Sequence, residues 1–165
     1  MKRAYFIVML IFFASISFGQ KNTLPSVYLK TIDGKTINTA DLLKDSVPVF
    51  IDFWATWCKP CIIELNTLND LYPDWQEETG LKIIAVSVDD PKTTNRVAPF
   101  VAGRGWEFQI LLDPNGEFKR AMNVVDIPHS FLIAPDGRIV WQHAGFAPGD
   151  EQELYEQVIK LVNKK

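Results

Sequence analysis

The sequence predicts an α/β fold of three layers, with helices on both faces of a mixed central sheet. Two patterns carry that reading. Apolar, β-branched runs alternate with segments of helical period through the middle of the chain, and the chain closes with a hairpin signal followed by an amphipathic helix. Its 165 residues allow a sizeable core, and 47% hydrophobic content excludes a disordered chain.

The elements follow in order. Val27-Tyr28-Leu29 and Thr36-Ile37 flank the turn Asp33-Gly34-Lys35 and predict an N-terminal hairpin. Val47 to Trp54 reads as a buried central strand interrupted by Asp52. A helix should begin near Pro60, with Cys61, Leu65, Leu68, Tyr72 and Trp75 on an inward stripe. Pro73 is expected to kink or split that helix, and Gly80 to end it. Leu81 to Val88 is the next buried strand. A short helix over Val97 to Val101 and a strand over Phe108 to Leu112 follow. Asp113-Pro114-Asn115-Gly116 is a turn, and Glu117 to Met122 a second short helix. Ser130 to Ala134 and Arg138 to Gln142 flank Pro135-Asp136-Gly137 as a hairpin. Asp150 and Glu153 stand at capping-box spacing ahead of Leu154, Val158 and Leu161, which predicts a closing helix.

The amino terminus reads differently. Lys2 and Arg3 precede an apolar run from Ala4 to Ala14, followed by the small residues Ser15, Ser17 and Gly19. That order is the pattern of a secretory signal peptide over residues 1–19, leaving a domain over 20–165. The run is shorter than the ~20 residues a bilayer span needs, so export to the periplasm is expected, with membrane anchoring as the alternative if the segment is retained. Removing Lys2 and Arg3 from 17 basic residues leaves 15 against 20 acidic. A mildly acidic body gives no electrostatic basis for nucleic-acid binding.

Only two cysteines are present, in Trp57-Cys58-Lys59-Pro60-Cys61. A disulfide closing so short a ring is a poor staple, so the pair points to chemistry. The motif sits after a strand and at a helix start. There the free N–H groups and the positive end of the helix dipole favour a thiolate at Cys58. Lys59 adds a cation, and Pro60 is tolerated in the first turn. Cys58 is then the exposed nucleophile that attacks a substrate disulfide, and Cys61, one turn further in, resolves the mixed disulfide. No second cysteine pair completes a zinc site, and no cofactor or resident metal is expected.

At these residues the chain resembles the thioredoxin superfamily, and within it the exported branch that includes the ResA and TlpA proteins. The resemblance begins with Val49 to Cys61 and continues through Ala85-Val86-Ser87-Val88-Asp89 and Leu112-Asp113-Pro114-Asn115-Gly116. It ends with Ile127 to Ile133 and Pro135 to Val140. It implies a thioredoxin-like α/β/α fold with an N-terminal hairpin extension and a strand–helix insert. It also implies a cis Ile127–Pro128 peptide against the dithiol, with the backbone before the proline pairing with substrate. Where the family usually has Thr after that proline, this chain has His129-Ser130. His129 either tunes the dithiol or faces solvent.

Two carboxylates compete as proton acceptor for Cys61. Asp52 matches the buried acid of thioredoxin, and Glu64 matches the glutamate of the ResA branch, three residues past Cys61 on the same side of the helix. In apolar surroundings either carries a raised pKa and exchanges a proton with the thiol. The plainer readings are a strand acid bonded to backbone for Asp52 and a solvated helix residue for Glu64. Trp54 and Trp57 are expected to border the motif as an apolar surface for a protein substrate, and His143 to be structural.

The expected activity is thiol–disulfide exchange, foremost reduction of protein disulfides. The resemblance implies protein thiol or disulfide substrates, apocytochrome c among them, and a membrane thiol electron donor. A disulfide oxidase or isomerase is the alternative within the class. A Cu(I) chaperone using both cysteines with His129 or His143 is the alternative outside it. A peroxidase would need a peroxidatic thiol in another motif.

Overall fold

The computed structural model describes residues 22–164. The leader expected at 1–19, and the domain start at 20, lie outside them. The strands are β1 (Tyr28–Thr31), β2 (Thr36–Asn38), β3 (Val49–Trp54), β4 (Lys82–Ser87), β5 (Gln109–Leu112), β6 (His129–Ile133) and β7 (Ile139–Ala144). The helices are α1 (Lys59–Thr79), α2 (Val97–Ala102), α3 (Glu117–Ala121) and α4 (Asp150–Val162). The strands form one sheet in the order β2-β1-β5-β4-β3-β6-β7. β3, β4 and β5 are parallel, and β6, β7, β1 and β2 pair antiparallel to their neighbours.

The central strands read as near-continuous apolar runs because both faces are covered. Every residue of β3 is buried. Phe50 and Trp54 turn toward one apolar layer with Ile83, Ala85, Ile110 and Leu132. That layer also takes the inward faces of α1, α2 and α4. Val49, Ile51 and Phe53 turn to the opposite layer, which holds Phe118 of α3, Leu29 of β1 and Leu42. The period-two alternation therefore assigns Asp52 to the side of α1 and α4. The three layers, the mixed sheet and the N-terminal hairpin stand as the sequence predicts.

Two local expectations are corrected. α1 is not split at Pro73 but runs as one 21-residue helix. Pro73 lies on the exposed side between buried Tyr72 and Trp75. There the ring's fixed φ suits a helix, and the carbonyl it leaves unpaired faces water. At α4 the capping box does not form. Gly149, at φ 110°, turns the chain into the helix one residue earlier. The Asp150 carboxylate instead accepts from the Ala147 N–H at 2.7 Å, and Glu153 accepts from the Trp141 indole at 3.2 Å.

Candidate active site

The β3–α1 connection places the two cysteines. Cys58 caps α1, its backbone still extended at φ −89° and ψ 99°, while Cys61 lies in the first turn. Their sulfurs are bonded to each other, with Cα atoms 5.4 Å apart. Cys58 Sγ also accepts the Cys61 N–H at 3.3 Å, so the cap that opens the helix is the sulfur itself. A negative charge forming there meets the free N–H groups and dipole of a long helix. Cys61 is wholly buried, Cys58 is 5% exposed, and the preceding Trp57 is 65% exposed. Cys58 is thus less open than the sequence reading expects, because its sulfur turns inward to Cys61 and to the helix N-terminus. Of the two, it remains the one that solvent reaches. Lys59 and Pro60 are exposed beside it.

The strip of connection ahead of Cys58 is anchored from β4. Asp89, fully buried just past β4, accepts from the Thr56 N–H at 2.8 Å and the Thr56 hydroxyl at 2.6 Å. Ser87 Oγ donates to the same carboxylate at 2.9 Å. Together with the Val88 N–H donating to the Trp54 carbonyl at 2.8 Å, these bonds fix the path of residues 54–56 two residues before the nucleophile.

Asp52 and Glu64 share the layer beneath the cysteines. Asp52 is fully buried, and neither carboxylate oxygen has a hydrogen-bond partner among the described residues. Glu64 is 4% exposed and its Oε2 is likewise unpartnered. Burial pushes Asp52 well above the ordinary carboxylate range. Burial does the same to Glu64, to about 10, and the nearby charges of Asp52 and then Asp150 add to it. At neutral pH the pair is held protonated. Neither plain reading fits: Asp52 is not bonded to backbone, and Glu64 is a buried residue, not one on the solvent face of the helix.

Pro128 is buried, and the Ile127–Pro128 peptide is cis. It precedes β6, whose first residue His129 pairs with Phe53, so it lies where β3 gives way to the cysteine loop. The Pro128 carbonyl accepts from the Gly145 N–H at 2.8 Å. Ile127 packs on the same apolar layer as Cys58 and Cys61.

The AhpC/TSA family matches residues 21–142. The chain belongs to that family. Among its relatives is the thiol-disulfide oxidoreductase ResA of Bacillus thuringiensis subsp. konkukian. It is 34% identical over 131 residues, covering 79% of this chain and 73% of that one. A thioredoxin-like protein from Porphyromonas gingivalis superposes with a TM-score of 0.76 at 48% identity, over 86% of this chain and 92% of that one. A putative thiol:disulfide interchange protein DsbE from Chlorobium tepidum gives 0.75 at 30% identity, over 86% and 96%. This AhpC/TSA member is a thioredoxin-like thiol–disulfide oxidoreductase.

One tryptophan falls differently from the sequence reading. Trp54 does not border an open surface; it is fully buried, its ring 5.0 Å from Trp106 and 5.6 Å from Phe100. The strand's alternation, not its distance from the motif, decides this. His129 stacks on Phe131 at 4.7 Å, on the sheet face away from Asp52. Burial, then the His143 charge, lowers its pKa. His143 lies across from Ser130 and 3.3 Å from the Asp150 carboxylate. The two histidines thus occupy opposite faces, and no cluster of three metal-ligating side chains exists among the described residues. Asp89 was legible only as part of a motif. Nothing in the sequence pairs it with Thr56, 33 positions earlier.

Proposed function

We propose that this oxidoreductase is an envelope reductase of protein disulfides, in which Cys58 attacks and Cys61 resolves. The observation that carries it is the buried, unpartnered Asp52–Glu64 pair beneath a fully buried Cys61. The Cys58 thiolate bonds to one sulfur of the substrate disulfide, and the other leaves as a thiolate that takes up a proton. Once one acid of the pair has lost its proton to water, it accepts the proton of Cys61, whose thiolate attacks Cys58 Sγ; this closes the intramolecular disulfide and releases the second substrate sulfur as a thiolate that takes up a proton from water. Two electrons and two protons pass from the dithiol to the substrate.

The same pair supports the direction. Dithiols whose thiolate is strongly stabilised are oxidants, whereas buried acids beside Cys61 disfavour its thiolate and hold the couple toward the reducing end. A protein substrate suits the exposed apolar residues around the motif: Trp57, Ile63 on the first turns of α1, and Val125 ahead of Ile127. Backbone of an extended substrate would lie along Ile127 and Pro128, with Lys59 and Pro60 on its other side. The leader pattern supports export to the periplasm. The kinship with ResA and DsbE supports a partner among protein thiols, apocytochrome c as one, with electrons from a membrane dithiol.

Equilibration of the Cys58–Cys61 couple against glutathione or a reference dithiol tests the direction. The reading expects a potential nearer ~ −270 than ~ −120 mV. A value at the oxidising end would make the protein an oxidase or isomerase instead.

A further inference from the structure

Glu64 is buried in α1, yet a narrow crevice reaches it from the surface between β6, β7 and α4. Glu64 and Ser130 stand at its floor, Phe50, Leu68 and Leu154 form apolar walls, and Trp141, His143 and Asp150 line it with Phe146 and Glu151. About 10 Å³ within it is open to the centre of a water molecule, room for about one water. The sheet register explains why these side chains converge. Ser130 pairs with Asp52 on one side and His143 on the other, so all three lie in neighbouring strands on the face that α1 and α4 cover. His143 and Asp150 meet at 3.3 Å, each about one-third exposed, and the His143 ring stacks flat on Trp141 at 5.6 Å.

We propose that this slot is the path by which the buried carboxyl pair exchanges its proton with solvent, and that His143 and Asp150 at its mouth pass that proton on. The inference rests on the functional reading above and adds the loss of a proton from the pair which that chemistry requires before resolution. A carboxyl that already holds its proton cannot take another, so the pair must lose one to water before Cys61 can resolve, and that layer is otherwise sealed by apolar side chains. Glu64 lines the slot and its Oε2 has no partner among the described residues, so a single water there has a carboxyl group to bond. The proton then moves from Glu64 to that water and out to the imidazole or the Asp150 carboxylate. No electron moves and no covalent bond other than O–H and N–H changes. The imidazole carries two ring nitrogens, one able to accept a proton while the other donates one, which suits it to pass a proton between the slot and bulk water.

The groups facing Glu64 are Cys61 on its own helix, Asp52 from β3, His143 from β7, and Asp150 and Glu151 from α4. Ser130 is the polar group β6 contributes. None is basic except His143. Removing it leaves only acids along the route.

The test separates the two steps of exchange by rapid mixing of reduced protein with a disulfide peptide between pH 6 and 10, in wild type, His143→Ala and Asp150→Asn. Mixed-disulfide formation at Cys58 is expected at the wild-type rate in all three, with an unchanged redox potential. Resolution by Cys61 is expected to slow about tenfold at pH 7 in each variant, and added imidazole to restore it in His143→Ala. Wild-type resolution in both variants across the pH range overturns the proposal. Slowing that imidazole leaves untouched, with Asp150→Asn unaffected, also overturns it, because a packing defect would behave so. Absence of any mixed disulfide in the wild type would instead remove the functional reading beneath it.

Discussion

Asp52 and Glu64 are acids buried in an apolar layer, with both Asp52 oxygens and Glu64 Oε2 unpartnered among the described residues, and two consequences follow at the scale of the residue. The first concerns stability. Both groups have folded-state pKa values above those of the unfolded chain. From the ordinary carboxylate range up to the raised values, the folded state therefore keeps protons that the unfolded state has lost. Their contribution is complete below the unfolded pKa and declines as pH rises toward the folded one, with a limiting slope of about 1.4 kcal/mol per pH unit per group. Urea unfolding is expected to show lower stability at pH 8 than at pH 5. Glu64→Gln should flatten that decline and be the more stable protein at pH 8; an unchanged slope would mean Glu64 is ionised in the fold. The second consequence is kinetic. Without its acceptor, Glu64→Gln should slow resolution of the mixed disulfide by about 10²-fold at pH 7 while leaving its formation intact. Quenched-flow trapping reads both steps, and equal slowing of the two would argue for a general structural defect. Asp89 presents the opposite case, a buried carboxylate with three donors. Asp89→Ala strands the Thr56 N–H and hydroxyl and should cost about 3 kcal/mol in chemical denaturation. A loss below ~1 kcal/mol would show that the β3–α1 connection holds its path without it.

At the scale of the element, α1 does most of the positioning, and its central irregularity is separable from its working end. Pro73 interrupts the hydrogen-bond ladder on the exposed face, three turns from Cys61. Pro73→Ala should restore one backbone bond and raise stability by about 1 to 3 kcal/mol, with the redox potential unchanged. A falling melting temperature would show that the ring's constraint on the unfolded chain outweighs the missing bond. The strands were legible because β3 and β4 are runs of β-branched and aromatic residues that suit nothing else. The dithiol was legible because Cys58 and Cys61 sit at a strand-to-helix boundary. Pro73 misled because sequence reveals the lost N–H but not which face it lies on. Asp150 misled for a related reason: the capping spacing to Glu153 is real, but Gly149 adopts a left-handed conformation that ends the preceding loop one residue sooner.

At the scale of the whole molecule, the sheet brings together what the sequence keeps apart. Asp52, Ser130 and His143 are consecutive across β3, β6 and β7, though they span 91 positions of the chain. No local pattern marks His143 as sharing a crevice with Glu64; only the strand order and register do so. The two apolar layers divide the labour. One holds α1, α4, the cysteines and the acids. The other, with α3 and the N-terminal hairpin, gives the sheet a covered back. No helix among the described residues is long and apolar enough to cross a membrane. The chemistry divides between the two sulfurs: one meets the substrate and the other frees it. Its most direct test reacts Cys61→Ser and Cys58→Ser separately with a disulfide peptide and maps the adducts by mass spectrometry. Cys61→Ser is predicted to accumulate a stable mixed disulfide at Cys58, and Cys58→Ser to form none; an adduct on Cys61, or equal trapping by both variants, would contradict it.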